Sequence, residues 1–138
     1  MAGMRFLTLS GTDIVSGQLH NLFPACRVGD AATIAYVQVL NSTGATLSNL
    51  RAYLRLDPAG VACSMAIADG TARAESYSYG TPTPPGSWST PTTYAAGLAV
   101  PTTGSLAAGQ KVLVAIKRDP TIGSAADVES NALIVSTS

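Results

Sequence analysis

Four aromatic residues gather around the one segment of this chain whose sequence reads as free to project. Tyr77, Tyr79, Trp88 and Tyr94 flank or occupy Gly80 to Thr93, whose sequence GTPTPPGSWSTPTT contains four prolines. Rings carried on such a loop suit two kinds of chemistry. They stack on sugars, or they anchor protein interfaces by burying apolar area beside a polar tip. Pro84 lies within Thr81-Pro82-Thr83-Pro84-Pro85, a run that favours polyproline II and docks at little entropic cost. Tyr77, Tyr79, Pro84, Trp88 and Tyr94 are therefore the candidate interface residues. Three uses of Trp88 stay open: plugging its own fold, contacting another subunit, or binding a sugar.

Groups that could carry covalent or acid–base chemistry are sparse. His20 is the single histidine, and no GxSxG elbow or other nucleophile context accompanies it. Cys26 and Cys63 lack CxxC or Cys/His spacing, so neither points to zinc. They read as reduced, core-seeking residues, with a disulfide open to them in an oxidising exterior. Asp119, Asp127 and Glu129 lack the close DxDxDG-like spacing that packs oxygens around calcium. Glu75 and Asp69 are a conceivable carboxylate pair for glycoside hydrolysis, but no pattern around them favours it. The expectation is a non-enzymatic protein with no metal and no cofactor.

The elements that must position these residues read as strands. Arg5 to Leu9 is a first strand, followed by an irregular section over residues 12–30. Thr33 to Leu40 is rich in β-branched and aromatic residues. From Leu50 to Leu56 the alternation is nearly complete: Leu50, Ala52, Leu54 and Leu56 face one way, and Arg51, Tyr53 and Arg55 the other. Asp57-Pro58-Ala59-Gly60 makes a turn. Val61 to Ile67 and Arg73 to Tyr79 read as two strands separated by Asp69-Gly70. Gly80 to Thr93 is a long loop or arm, because proline cannot donate to a central ladder. Lys111 to Lys117 alternates with Val112, Val114 and Ile116 inward and both lysines outward, and Asn131 to Ser136 closes the set. Sustained helical periodicity is lacking. The expected fold is all-β: one domain over residues 1–138, a two-sheet sandwich, immunoglobulin-like or jelly-roll, of seven to eight strands.

Of the 138 residues only 12% are charged, about half of the ~25% usual in soluble domains. Small residues must cover the exterior, and part of it is expected to lie against other subunits, since interface cores are poor in charge. Eight basic and eight acidic side chains give zero net charge. Arg51 with Arg55, and Lys111, Lys117 and Arg118 on another strand, do not amount to the clustered basic face a nucleic acid needs. The opening apolar run, Met4 to Leu9, is interrupted by Arg5 and Thr8 and is too short for a secretory signal. Apolar stretches near the ~20 residues that span a bilayer are lacking too. Synthesis and residence in a cytosol, with no membrane partner, are expected. The Asn41-Ser42-Thr43 sequon has no weight without a secretory route.

Several segments occur in a suggestive order. Asn21 to Pro24 (NLFP) precedes Gly29-Asp30, a strand ending at Asn41, Thr46-Leu47-Ser48-Asn49-Leu50 and a strand with alternating charge. Later Leu106-Ala107-Ala108-Gly109-Gln110 leads into a strand ending in Lys117-Arg118. Over residues 20–56 and 104–136 this order resembles small β-sandwich structural proteins of tailed-bacteriophage virions, either capsid decoration (cement) subunits or tail-associated subunits. The resemblance implies a virion location and synthesis in the host cytoplasm. It also implies homo-oligomers and contacts with major capsid or tail subunits. It carries no catalytic residues. A carbohydrate-binding module or adhesin domain, using Trp88 and the neighbouring tyrosines on a host-surface glycan, is the alternative from another class.

Overall fold

The β-branched and aromatic residues of Thr33–Asn41, TIAYVQVLN, favour an extended, pleated backbone, and similar runs shape the rest of the molecule. The structure is a computed structural model and describes residues 3–14, 31–55, 63–119 and 132–138. Within them lie nine strands: β1 (Met4–Thr8), β2 (Thr33–Asn41), β3 (Leu47–Ser48), β4 (Arg51–Arg55), β5 (Cys63–Ala74), β6 (Leu98–Ala99), β7 (Ser105–Leu106), β8 (Gln110–Arg118) and β9 (Ala132–Ser136). Three of these, β3, β6 and β7, are only two residues long, and the six longer ones fall below the seven to eight expected because β5 is one strand where two were expected.

The strands form three antiparallel sheets with orders β1-β2-β8-β5, β6-β4-β9 and β3-β7. Alternation decides which residues go inside. Leu50, Ala52 and Leu54 are at most 2% exposed, as their period of two requires; Leu56 lies outside the described residues. Across from them Val37, Val39, Met65, Val112, Val114 and Ile116 complete a single apolar cluster with Leu133 and Val135. The fold is thus all-β, with two larger sheets sharing one core, as a β-sandwich requires. Each fully buried aliphatic side chain contributes roughly 1.5–3 kcal/mol.

The other face of β8 is also covered. Leu113 and Ala115 are at most 1% exposed, as is Leu40 of β2, although none belongs to the main cluster. Lys111, expected outward, shares this face and is only 5% exposed. The second correction concerns β5, a single strand running through Asp69-Gly70. Its register against β8 shifts between Ile67 and Asp69 and again between Asp69 and Arg73, then resumes as Arg73↔Lys111. Asp69 makes the bulge by accepting the Thr71 amide at 3.0 Å and Arg73 Nε at 3.2 Å. Tyr77 and Tyr79, expected on a strand, follow the end of β5 in irregular backbone.

Gly80 to Thr93 is irregular, as its prolines dictate, yet it does not project as an arm. Ser89 exchanges two backbone hydrogen bonds with Met65 of β5 (2.7 and 3.1 Å), and the Pro91 carbonyl accepts the Leu54 amide of β4 at 2.8 Å. Two residues of this segment therefore strap the edge strand of one sheet to the central strand of the other.

Of the segments that carry the resemblance, Asn21 to Pro24 and Gly29-Asp30 lie outside the described residues, and those around Asn41, Thr46 to Leu50 and Leu106 to Gln110 meet at one corner. Leu47 and Ser48 pair with Leu106 and Ser105, and the Asn49 amide donates to the Gly104 carbonyl at 3.0 Å. Asn41 is fully buried; its Nδ2 donates to Ala45 (2.8 Å) and Leu106 (2.9 Å) carbonyls, and its Oδ1 accepts from Thr43. With both amide hydrogens engaged in the interior, this sequon asparagine is closed to glycosylation in the folded state. Gly109, at φ 79°, lets the Ala107–Gln110 turn close into β8, and Gln110 Oε1 accepts the Ala107 amide at 2.9 Å.

Candidate functional site

The five candidate interface residues occupy three separate places. Tyr77 and Tyr79 lie together on the outer face of the four-stranded sheet. An ammonium fixes them there. Lys111 Nζ donates to the Tyr77 carbonyl (2.6 Å), the Gln38 Oε1 (2.7 Å) and the Glu75 carbonyl (2.8 Å). These three bonds use all of its hydrogens. Gln38 is itself oriented by donating Nε2 to the Thr8 carbonyl at 2.8 Å. Burial pulls the Lys111 ammonium below the ordinary lysine range, and the Glu75 carboxylate partly opposes this.

The rings stack in sequence above that anchor. Lys111 Nζ lies 5.1 Å from the Tyr79 ring centroid. Tyr79 meets Tyr77 edge-on at 5.2 Å, and the Arg73 guanidinium covers Tyr77 at 4.4 Å. The Tyr79 hydroxyl is buried and finds no hydrogen-bond partner among the described residues. Burial, and secondarily the Asp69 carboxylate, push it well above the usual phenol range. Beside Tyr77, which is 40% exposed, a cleft of about 340 Å³ opens between the stretch 75–80 and Leu9, Ser10 and Gly11 at the end of β1.

Trp88 stands elsewhere, half-buried at the lip of a trough of about 520 Å³ lined by Met65, Ile67, Pro85 and Leu98. Lys117 Nζ lies 5.2 Å from its ring. Pro84 is exposed and Pro85, not Pro84, lines the trough. Tyr94 is pinned to the second sheet: its hydroxyl donates to the Asn49 carbonyl at 2.6 Å, and Arg51 lies 5.0 Å from its ring while donating to the Ala95 carbonyl at 2.9 Å.

The groups considered for catalysis do not converge among the described residues. Asp69 is occupied by Thr71 and Arg73, while Glu75 lines the cleft. Groups of three or more His, Cys, Asp or Glu able to hold a metal do not occur among the described residues. His20, Cys26, Asp127 and Glu129 lie outside them. Cys63 carries a free, buried thiol whose proton is held up to about 11, chiefly by burial. The basic side chains are dispersed: Lys111 and Arg118 are buried, and Arg51 and Lys117 lie against rings in different sheets. Lys111 and Gln38 were not legible as site residues, though one signal was present. Leu113 and Ala115 share the face of Lys111, and an apolar pair there marks a covered face. No protein-family model, curated protein or solved structure matches the chain.

Proposed function

We propose that this chain is a non-enzymatic structural subunit of a tailed-phage virion, a decoration protein that binds the head exterior. The observation that carries the reading is the strapped Trp88 trough. A large aromatic ring stands at the lip of an apolar groove, on a segment bonded to both sheets. Such an anchor loses little freedom on docking, and rigid aromatic anchors dominate interface energies. The occupant is a neighbouring shell subunit. The chain's scarcity of charge and its resemblance to virion sandwich proteins support that choice, and many equivalent contacts on a symmetric shell add by avidity.

The strand order supports the immunoglobulin-like form of the sandwich over the jelly roll. The order β1-β2-β8-β5 follows the A-B-E-D order of immunoglobulin sheets, and the β4–β9 pair takes the C–F place in the second sheet. Purified protein added to expanded heads lacking it should bind saturably, and Trp88→Ala should weaken binding about 30-fold, the effect of a ~2 kcal/mol hot spot. Absence of binding to every head form would overturn the decoration role. Electron microscopy of particles carrying a tagged copy distinguishes head from tail or neck placement.

A further inference from the structure

We propose that the cleft beside Tyr77 is a binding site for an uncharged, hydroxyl-bearing saccharide. This is a function separate from the Trp88 trough, with which the cleft shares no lining residue.

The floor of the cleft excludes anions. Lys111, the one cation among the described residues that line it, spends all three N–H groups on Gln38, Glu75 and Tyr77, leaving no donor for a phosphate or carboxylate. Glu75, exposed on the wall, adds a negative charge that repels anions and accepts hydroxyl hydrogens. The charges of Glu75 and Lys111 cancel, so the cleft favours a neutral guest over a cationic one.

An added peptide strand is excluded on different grounds. The outer edge of β1 is already used, because the Thr8 amide donates to Thr12 at 2.8 Å and the Ile14 amide to Phe6 at 2.7 Å.

What the cleft offers is a ring and polar rim groups. Tyr77 is held by Arg73 over its ring and by an edge-to-face contact with Tyr79, yet stays 40% exposed where it lines the cleft. A pre-oriented ring of this kind takes the C–H face of a sugar, as apolar stacking with the hydroxyls directed outward. Ser10, Ser78 and the Glu75 carboxylate are placed around it for those hydroxyls. At about 340 Å³ the cleft sits at the small end of the roughly 300–1,000 Å³ of ligand pockets, which suits a short saccharide.

The test is an NMR titration of the ¹⁵N-labelled full chain with maltose, cellobiose, lactose and chitobiose, alongside an array of bacterial surface glycans. At least one probe is expected to shift the amides of Leu9, Ser10, Tyr77 and Ser78. Tyr77→Ala should weaken that binding at least tenfold. Tyr77→Phe keeps the ring and should retain it, and Glu75→Gln should weaken it less than Tyr77→Ala. Both sites, Glu75 and Tyr77, are exposed, and an unchanged amide spectrum elsewhere verifies folding of each variant. Silence across every probe would overturn the proposal. So would binding that survives Tyr77→Ala, or that is lost in Trp88→Ala instead.

Discussion

An ammonium withdrawn from water needs an acceptor for each hydrogen, and Lys111 has three. Lys111→Met would keep the stem's bulk but leave Gln38 Oε1 and the carbonyls of Glu75 and Tyr77 without their donor. Each lost charge-assisted bond is worth roughly 1.5–3 kcal/mol, partly offset by the desolvation that Lys111 no longer suffers. Urea denaturation should show a net loss of about 2–3 kcal/mol, with faster amide exchange over residues 75–80. Unchanged stability and exchange would show that the ammonium is not what fixes Tyr77. Cys63 gives a pH prediction. Burial lifts its thiol from 9.0 to about 11, so the folded state holds that proton more tightly than the unfolded state. The stabilisation is complete below pH 9 and is lost as pH rises toward 11, on the order of 2–3 kcal/mol. Between pH 8 and pH 10.5 the wild type should lose more stability than Cys63→Ala, since Lys111 and Tyr79 titrate alike in both. Equal losses would contradict the burial of the thiol.

The strap over Ser89 to Pro91 shows what an element can hide from its own sequence. Prolines correctly exclude Gly80 to Thr93 from a central strand. Composition cannot say that Ser89, between a tryptophan and a threonine, would pair with Met65, because that bond depends on a partner 24 residues away in the chain. Ser89→Pro removes the donor to the Met65 carbonyl, so it should cost about 1–3 kcal/mol and speed exchange of the Leu54 amide. Protection at Leu54 equal to wild type would mean the two sheets are not tied there. The strands with one-sided alternation were legible: Leu50, Ala52 and Leu54 are inside as their spacing demands. The bulge at Asp69 was not, because Asp-Gly signals a turn equally well between two strands or within one. Of the candidate site, the aromatic types were legible and their partners were not. Tyr94 is held by Arg51 and Asn49, and Tyr77 by Arg73 and Lys111, through contacts that only the folded topology creates.

At the scale of the whole molecule, the charged residues serve local geometry more than long-range attraction. Lys111 clamps a loop, Arg51 and Arg73 lie on tyrosines, Lys117 covers Trp88, and Asp69 shapes a bulge. Binding to a shell through the apolar Trp88 trough should therefore depend little on salt, because the chain carries no net charge and screening acts on charges. The most direct measurement is co-sedimentation of the purified chain with expanded phage heads that lack it, at 50 mM and 500 mM salt, followed by thermal disruption of the particles. The proposed decoration role requires saturable binding that changes less than tenfold between the two salts. Coated heads should also break at a higher temperature, with both effects weakened in Trp88→Ala. Chain left in the supernatant with every head form, or heads no more stable when coated, would contradict it.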